Sequence, residues 1–247
     1  MKRIIKIILQ KIILFKIKKG EIDFDKISIV FAPHPDDETI GLGGIIQKII
    51  ENNKNVTVVF ITNGEASEAS VNKNEISKKR IELSNEVLRQ LNVPLKNIIR
   101  LNISDGKIPE DGSIEFDKCV EEITKILIDI QPEMIFTTHI SDFWPFDHVN
   151  TSKIVLKSIK NSNLKLKLYY YWVWTWYHIS IKSIIQNNYK ALIKVDISEQ
   201  HKKKLRLINL YFNSFSDENK PWSGNIPSLM LKPFNQPFEI IEEIKYE

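Results

Sequence analysis

The chain has 247 residues, of which 43% are hydrophobic, and its formal net charge is +4. This length and apolar content are enough for one large α/β domain with its own core. Residues 1–20 hold seven cations and no acid, so the remainder carries 4 − 7 = −3, and a mildly acidic body argues against a nucleic-acid partner. The single cysteine, Cys119, excludes an internal disulfide and fits a reducing, cytoplasmic compartment.

Residues 1–19 interleave isoleucine and leucine with those cations. A membrane span needs about 20 nearly uninterrupted apolar residues, and lysines interrupt this run. No small-residue cleavage site follows, so a secretory signal is not expected. Two interpretations stay open: a basic helix lying on the anionic inner face of a membrane, or a helix packed on the body or on a second subunit. We therefore divide the chain into an N-terminal helix, 1–20, and one domain, 21–247.

The most informative stretch is PHPDDE at residues 33–38, which follows an apolar run at 27–31 and leads into a helical pattern. In an open parallel sheet, such a strand-to-helix turn lies at the edge where ligands bind. His34 and Asp37 are three residues apart, so they face one side of the opening turn and can bind one metal ion, while Asp36 projects elsewhere. One further histidine would complete a catalytic zinc site that keeps a position open for water.

This stretch resembles the first motif of the PIG-L/LmbE-like zinc-dependent N-deacetylases, which remove acetyl groups from N-acetylglucosamine-type sugars on varied carriers. The resemblance implies that His34 and Asp37 are zinc ligands and that Asp36 is the general base that takes a proton from the attacking water. It also implies that Glu38 holds the ligands in place. The alternative is a charged surface loop that caps a helix, which would need neither the histidine nor the proline.

Two later stretches resemble further motifs of the same family. A strand at 55–61 ends in Asn63-Gly64, and a strand at 98–103 is followed by Asp105-Gly106. The helix between them, at 74–91, carries Arg80 where relatives often have an arginine near the substrate cleft. The resemblance implies that Arg80 and Asp105 contact the substrate. The alternatives are a surface ion pair for Arg80 and a purely turn-shaping role for Asp105.

After a helix at 114–130 and a strand at 134–138, Asp147-His148 resembles the end of the family's His-Pro-Asp-His motif, which makes His148 the expected third ligand. The first histidine of that motif helps to stabilise the oxyanion in relatives, and Pro145 stands at its position here. Loss of such a donor costs about 10²–10³ in rate. We expect His139, which ends a strand on the same sheet edge, to substitute for it, and His178 is the other candidate.

The last third of the chain predicts an aromatic-rich strand at 167–177, then a closing strand at 194–198 and a helix at 199–215. Most of its aromatic rings are expected in the core, and Trp174 is expected to stack on a sugar ring. The tail after residue 220 is expected to wrap the body as an extended segment. The elements and the resemblance together imply an α/β fold, a Rossmann-like three-layer sandwich with a mostly parallel central sheet.

The expected function is zinc-dependent removal of the N-acetyl group from an N-acetylglucosamine-type sugar or sugar conjugate. Two alternatives stay open. One is a related amidase that acts on a small-molecule conjugate, and the other is a non-catalytic sugar-binding or scaffold protein, which Pro145 favours. The carrier of the sugar and the oligomeric state have no signal in the sequence.

Overall fold

The computed structural model describes residues 2–68, 70–142, 144–178 and 191–246. Its described strands are β1 Lys18–Lys19, β2 Ser28–Ala32, β3 Val56–Thr62, β4 Ile98–Ile103, β5 Met134–Thr138, β6 Lys167–Tyr171, β7 Leu192–Asp196 and β8 Phe238–Ile244. They form one eight-stranded sheet in the order β1-β7-β8-β6-β5-β2-β3-β4. Neighbouring strands are parallel, except that β8 runs antiparallel to both β6 and β7.

Helices cover both faces of this sheet. Within the described ranges they are α1 Lys2–Lys16, α2 Asp37–Glu51, α3 Lys73–Gln90, α4 Ile114–Ile130, α5 Phe146–Ser162, α6 Thr175–His178, α7 His201–Phe212 and α8 Ser228–Leu231. One apolar cluster joins a sheet face to α2, α3 and α7. A second cluster joins the other face to α4 and α5. The predicted three-layer α/β sandwich with a mostly parallel sheet is therefore confirmed.

Strands β2 and β3 place the PHPDDE turn. Both are buried at every residue, because adjacent side chains enter opposite apolar clusters, as Val30 and Phe31 do. A strand covered on both faces reads as a continuous apolar run. The two strands pair in parallel, with Val30 opposite Val58, so their carboxyl ends meet at one edge of the sheet.

The C-terminal segment is tied to α2, the helix that follows the turn. Glu239 of β8 accepts hydrogen bonds from the backbone nitrogens of Gly44 and Ile45 at 2.8 and 2.7 Å. Its Oε1 also lies 2.7 Å from Nζ of Lys204. A Cβ at Gly44 would lie 2.6 Å from the Ile197 side chain, so glycine is required for this close approach. The contacts hold α2 against β8 and α7.

Two elements differ from the sequence prediction. The tail does not simply wrap the body: it forms α8 and then β8, which inserts into the sheet between β6 and β7. The aromatic strand predicted at 167–177 ends at Tyr171, and Trp174 lies in the turn before α6. The prediction of the tail was wrong because β8 contains three acids, and its buried Glu239 is compensated by a lysine that is distant in sequence.

Helix α1 packs on the rest of the chain. Ile13 and Ile17 are buried in the first apolar cluster, and Nε2 of Gln10 donates to the carbonyl oxygens of Trp176 and Leu229 at 2.8 and 3.2 Å. Strand β1 then pairs with β7 at the sheet edge. The division at residue 20 stays a prediction. Among the described residues, no helix has the length and apolar character needed to cross a bilayer.

Candidate active site

The three predicted ligands meet at the carboxyl edge of the sheet. His34 and Asp37 lie on the turn after β2, and His148 lies in the first turn of α5. Oδ2 of Asp37 is 3.3 Å from Nδ1 of His34 and 3.4 Å from Nε2 of His148. The candidate ligand atoms of all three residues lie within 4.8 Å of one another. The structure thus brings together residues that are far apart in the chain.

The second ring nitrogen of each histidine contacts a carboxylate. Nε2 of His34 lies 3.0 Å from Asp105 and 3.2 Å from Asp147, and Nδ1 of His148 lies 2.8 Å from Asp142. Metal-binding histidines usually donate their other N–H to a carboxylate, which sets the tautomer and the orientation of the ring. Each imidazole is therefore oriented to present its remaining nitrogen toward Asp37.

These orienting carboxylates are themselves held by the backbone. Asp147 accepts hydrogen bonds from the nitrogens of Gly106 and Ile108 at 2.7 and 3.3 Å. Asp142 is fully buried and accepts from the backbone nitrogens of residues 173–175. Sequence reasoning missed both roles. Asp147 adjoins the predicted ligand and could have been suspected, whereas Asp142 lies in a loop with no pattern around it.

One buried nitrogen, Nε2 of His148, indicates whether the site suits a metal ion. His148 is fully buried, and its Nε2 has no hydrogen-bond partner among the residues that the structure describes. Buried polar atoms are nearly always paired, so an orphan calls for an explanation such as an ion. Two imidazoles and one carboxylate are a common catalytic zinc set with one position left for water. The donor set of His34, Asp37 and His148 therefore fits a divalent metal.

A second group, His34 with Asp105 and Asp147, is also close enough to hold an ion. Its carboxylates already accept backbone hydrogen bonds, Asp105 from Ala66 at 2.9 Å and Asp147 from Gly106. Because these acids also contact Nε2 of His34, the group serves to orient that ring.

The charges of the candidate ligands shift one another's pKa values. Burial alone would lower the pKa of His34, but hydrogen bonds to Asp105, Asp147 and Asp37 outweigh it and raise the pKa well above its usual value. For Asp37, burial would raise the pKa, but the adjacent His148 and His34 outweigh it and lower the pKa. Asp37 is thus ready to bind a cation as a carboxylate, and a metal would displace a proton from His34.

Asp36 lies beside the ligand set but outside it. Its Oδ2 is 2.9 Å from Nη2 of Arg80, and both side chains are buried. Burial raises the pKa of Asp36 to about 8, although the adjacent Arg80 opposes the rise. A carboxyl group with a pKa near the working pH is suited to accept and return a proton.

The backbone around Asp36 is held in an uncommon conformation. Its φ is 125°, a region that non-glycine residues rarely adopt. Arg80 stabilises the turn by donating to the carbonyl oxygens of Gly64, at 3.0 Å, and of Pro35. Gly64 has a φ of 70°, and a Cβ there would overlap the guanidinium. The close approach of Arg80 therefore depends on that glycine.

Glu38 also stabilises the turn at Asp36. It is fully buried and accepts hydrogen bonds from the backbone nitrogen of Asp36 at 2.9 Å, the Thr39 hydroxyl at 2.7 Å and the Tyr211 hydroxyl at 2.8 Å. Its position agrees with the expected supporting role. The contribution of Tyr211, from the distant helix α7, was missed.

A cavity of about 290 Å³ opens at this site. The predicted substrate residues Arg80, Asp105 and Trp174 all line it. Sequence reasoning missed Trp144, whose ring lies edge-to-face on Trp174 at a centroid distance of 4.7 Å. The remaining lining residues are His34, Asp36, Asp37, Ala66, Ser67, Pro145, Ser223, Gly224, Asn225 and Ile226.

His139 is not brought to this cavity. Its Nδ1 accepts from the backbone nitrogen of Ser141 at 2.8 Å, and its Nε2 lies 2.9 Å from Glu242. Because both ring nitrogens are engaged away from the ligand set, the geometry gives no support to an oxyanion role, which stays a prediction. His178 lies behind the cavity wall, with its ring centroid 5.8 Å from that of Trp144.

The chain is similar in sequence to known deacetylases, and the similarity includes the candidate site. The PIG-L family, described as GlcNAc-PI de-N-acetylase, matches residues 29–159, which include all three candidate ligands. A diacetylchitobiose deacetylase from Thermococcus kodakarensis is 24% identical over 212 residues, which are 83% of this chain and 75% of that protein.

Two solved structures share the fold. The N,N'-diacetylchitobiose deacetylase from Pyrococcus horikoshii, in complex with its inhibitor MPG, has a TM-score of 0.61 at 23% identity and covers 88% of this chain and 80% of its own. GalB, a 4-carboxy-2-hydroxymuconate hydratase from Pseudomonas putida, has a TM-score of 0.64 at 12% identity and covers 90% and 97%. The fold thus occurs in proteins that catalyse different reactions. The function of this chain therefore depends on the side chains of its site and not on the fold alone.

Proposed function

This chain belongs to the PIG-L family, and from that membership we propose that it is a metal-dependent hydrolase that removes the N-acetyl group from an N-acetylglucosamine-type sugar or sugar conjugate. The observation that carries the proposal is Nε2 of buried His148, which has no hydrogen-bond partner among the described residues and lies 3.4 Å from Oδ2 of Asp37. The unligated carboxylate of Asp36 lines the same cavity. Metal-assisted hydrolysis of an amide uses both a metal site and a proton acceptor of this kind.

We propose zinc as the metal, held by His34, Asp37 and His148. When bound, zinc polarises an acetamide carbonyl and lowers the pKa of water from about 15.7 toward about 7. Asp37 contributes the negative charge of the set. The carboxylates behind each imidazole keep the ligating nitrogens turned inward, so the site needs little rearrangement to accept the ion.

Asp36 has the part of general base. It accepts the proton of the attacking water and later passes it to the departing amine, which leaves as the free amino sugar. Arg80, at 2.9 Å, limits the motion of the carboxylate and stabilises its charged form. The hydrogen bond from the backbone nitrogen of Asp36 to the Glu38 carboxylate holds the strained turn in place.

The cavity wall supplies the sugar contacts. Trp174 and Trp144 offer aromatic faces and edges on which the C–H face of a sugar ring can pack. Asp105 has one oxygen near His34 and the other bonded to Ala66, and its remaining lone pairs can accept a sugar hydroxyl. The substrate partner is thus an N-acetylated sugar or glycoconjugate. Cytoplasmic location remains a prediction from the composition.

The proposal is tested by loading the purified chain with zinc, measuring metal stoichiometry, and assaying amine release from N-acetylglucosamine, N,N'-diacetylchitobiose and N-acetylglucosamine conjugates. Release of the free amine is the correct readout, because a hydratase of the same fold would consume substrate without producing one. Asp36→Asn is the matched inactive control. Turnover only of unrelated amide conjugates would favour the amidase alternative, and stoichiometric zinc without any amine release would favour a non-catalytic scaffold.

A further inference from the structure

Helix α1 has two apolar faces, and one of them packs on the body. Ile13, and Ile17 directly after the helix, are only 1% and 4% exposed. The other face consists of large apolar side chains that are open to solvent: Ile4, Ile5, Ile8, Ile12 and Phe15. At 3.6 residues per turn, these five positions fall within a sector of about 100°. Phe15, the most exposed of them, is 89% accessible.

The exposed apolar face has positive margins. Lys11 and Lys16 are exposed and flank the sector on the helical wheel, and Lys18 and Lys19 follow directly and are also exposed. Residues 2–19 contain no aspartate or glutamate. A contiguous apolar stripe bordered by lysines is typical of helices that lie in the interface of an anionic bilayer, where each lysine adds electrostatic attraction.

The helix also lies next to the segments that build the cavity. Nζ of Lys6 is 4.2 Å from the ring centroid of Tyr177, and Gln10 bonds to Trp176 of α6 and to Leu229 of α8. Helix α6 begins directly after Trp174, and α8 begins shortly after Ile226, and both of these residues line the cavity. The body-facing side of α1 therefore contacts the two short helices that adjoin these cavity-lining residues.

We propose that the exposed face of α1 docks on the surface of an anionic lipid bilayer. A second copy of the chain is a poorer occupant, because a symmetric contact between two such stripes would bring the lysine margins of both copies together, whereas anionic headgroups neutralise them. The buried face of α1 stays packed during docking, so the body need not unfold or release the helix. Zinc and substrate take no part in this contact.

The test is co-sedimentation of the full chain with phosphatidylcholine vesicles, with and without phosphatidylglycerol. We expect binding to the anionic vesicles and a loss of at least about tenfold in the double variant Ile8→Ser/Phe15→Ser, which removes apolar area from the stripe. Lys11→Glu/Lys16→Glu should abolish binding, and added salt should weaken that of the parent chain. Ile114→Ser is the matched control, since Ile114 is an exposed isoleucine on α4.

Equal vesicle binding by the parent and the Ile8→Ser/Phe15→Ser variant would overturn the proposal, and so would no binding to anionic vesicles. Analytical ultracentrifugation tests whether a second copy of the chain binds this face instead. If the parent chain is a dimer and the Ile8→Ser/Phe15→Ser variant is a monomer, the stripe serves self-association. Thermal unfolding of each variant checks that the fold is intact. Because vesicle binding is measured without substrate, it can fail or succeed independently of the deacetylase proposal.

Discussion

The carboxylate of Asp36 lies 2.9 Å from the guanidinium of Arg80, and both groups are buried beside the candidate metal ligands. Burial raises the pKa of Asp36 to about 8, and the adjacent Arg80 limits this rise because it stabilises the charged carboxylate. Within the part of the chain that the structure describes, neither of the two groups close enough to hold an ion contains Asp36. This arrangement separates metal binding from proton transfer and makes the two experimentally distinguishable.

Asp36→Asn should keep the metal and lose hydrolysis. Asparagine has nearly the same shape as aspartate, and its amide oxygen can still accept a hydrogen bond from Arg80, so the turn, whose φ is 125° at this residue, should keep its shape. The amide cannot accept the proton, and we expect kcat to fall by about 10²–10⁴. Zinc stoichiometry and amine release check the two halves. Near-full activity in this variant would remove Asp36 from the role of general base.

His148→Ala should sharply lower metal affinity, because it removes the buried nitrogen that faces Asp37. Asp142→Asn should lower metal affinity by about 10–100-fold, since it weakens the contact that orients the His148 ring. Competition with a chelator of known affinity measures both.

His139→Ala is the matched control for metal binding, because it removes an imidazole that contacts Glu242 and not the ligand set. We expect it to bind zinc like the parent chain. A loss of about 10²–10³ in kcat with metal retained would nevertheless support the oxyanion role predicted for His139. Unchanged zinc stoichiometry in His148→Ala would contradict the proposed ligand set.

Trp144→Ala should weaken substrate binding more than catalysis. The ring is 49% exposed and packs edge-to-face on Trp174 in the cavity wall, so its removal should leave the core intact. We expect KM to rise about 3- to 10-fold with little change in kcat, from the loss of aromatic packing. Phe146→Ala, at an exposed aromatic residue that does not line the cavity, is the control. A KM equal to that of the parent would exclude Trp144 from the sugar site.

The parts of the fold that sequence predicted are those with a local pattern. Strand β3 is buried on both faces and therefore appears as a nearly continuous run of apolar and β-branched residues. Strand β8 has no such run, because Glu239 is buried within it and is neutralised by Lys204 from another element. No window of neighbouring residues contains that ion pair, so the tail was predicted to stay extended.

The candidate site likewise contains residues that a local sequence pattern predicts and residues that depend on distant contacts. The spacing of His34 and Asp37 and the motif around His148 were sufficient to choose residues that the structure brings together. Asp142 was not predictable, because its role depends on hydrogen bonds from residues 173–175. Glu38 was expected to support the site, but its hydrogen bond from Tyr211 was not. Such contacts become visible only once the loops at the sheet edge are assembled.

Lys204→Met should destabilise the packing of α2 against β8. Lys204 is fully buried, and its Nζ lies 2.7 Å from Glu239, which in turn holds α2 through Gly44 and Ile45. Removal of the lysine leaves a buried carboxylate with hydrogen bonds but no counter-charge. We expect the free energy of unfolding to fall by about 3–5 kcal/mol.

Chemical denaturation of the Lys204→Met variant measures this loss, and Lys202→Met, at an exposed lysine on the same helix, should change the free energy of unfolding by less than about 0.5 kcal/mol. The double variant Lys204→Met/Glu239→Gln should recover part of the loss, because the amide keeps one acceptor for the α2 backbone without burying a charge. A double variant less stable than Lys204→Met would show that the ionised carboxylate of Glu239 is required by the backbone of α2 even when its lysine is absent.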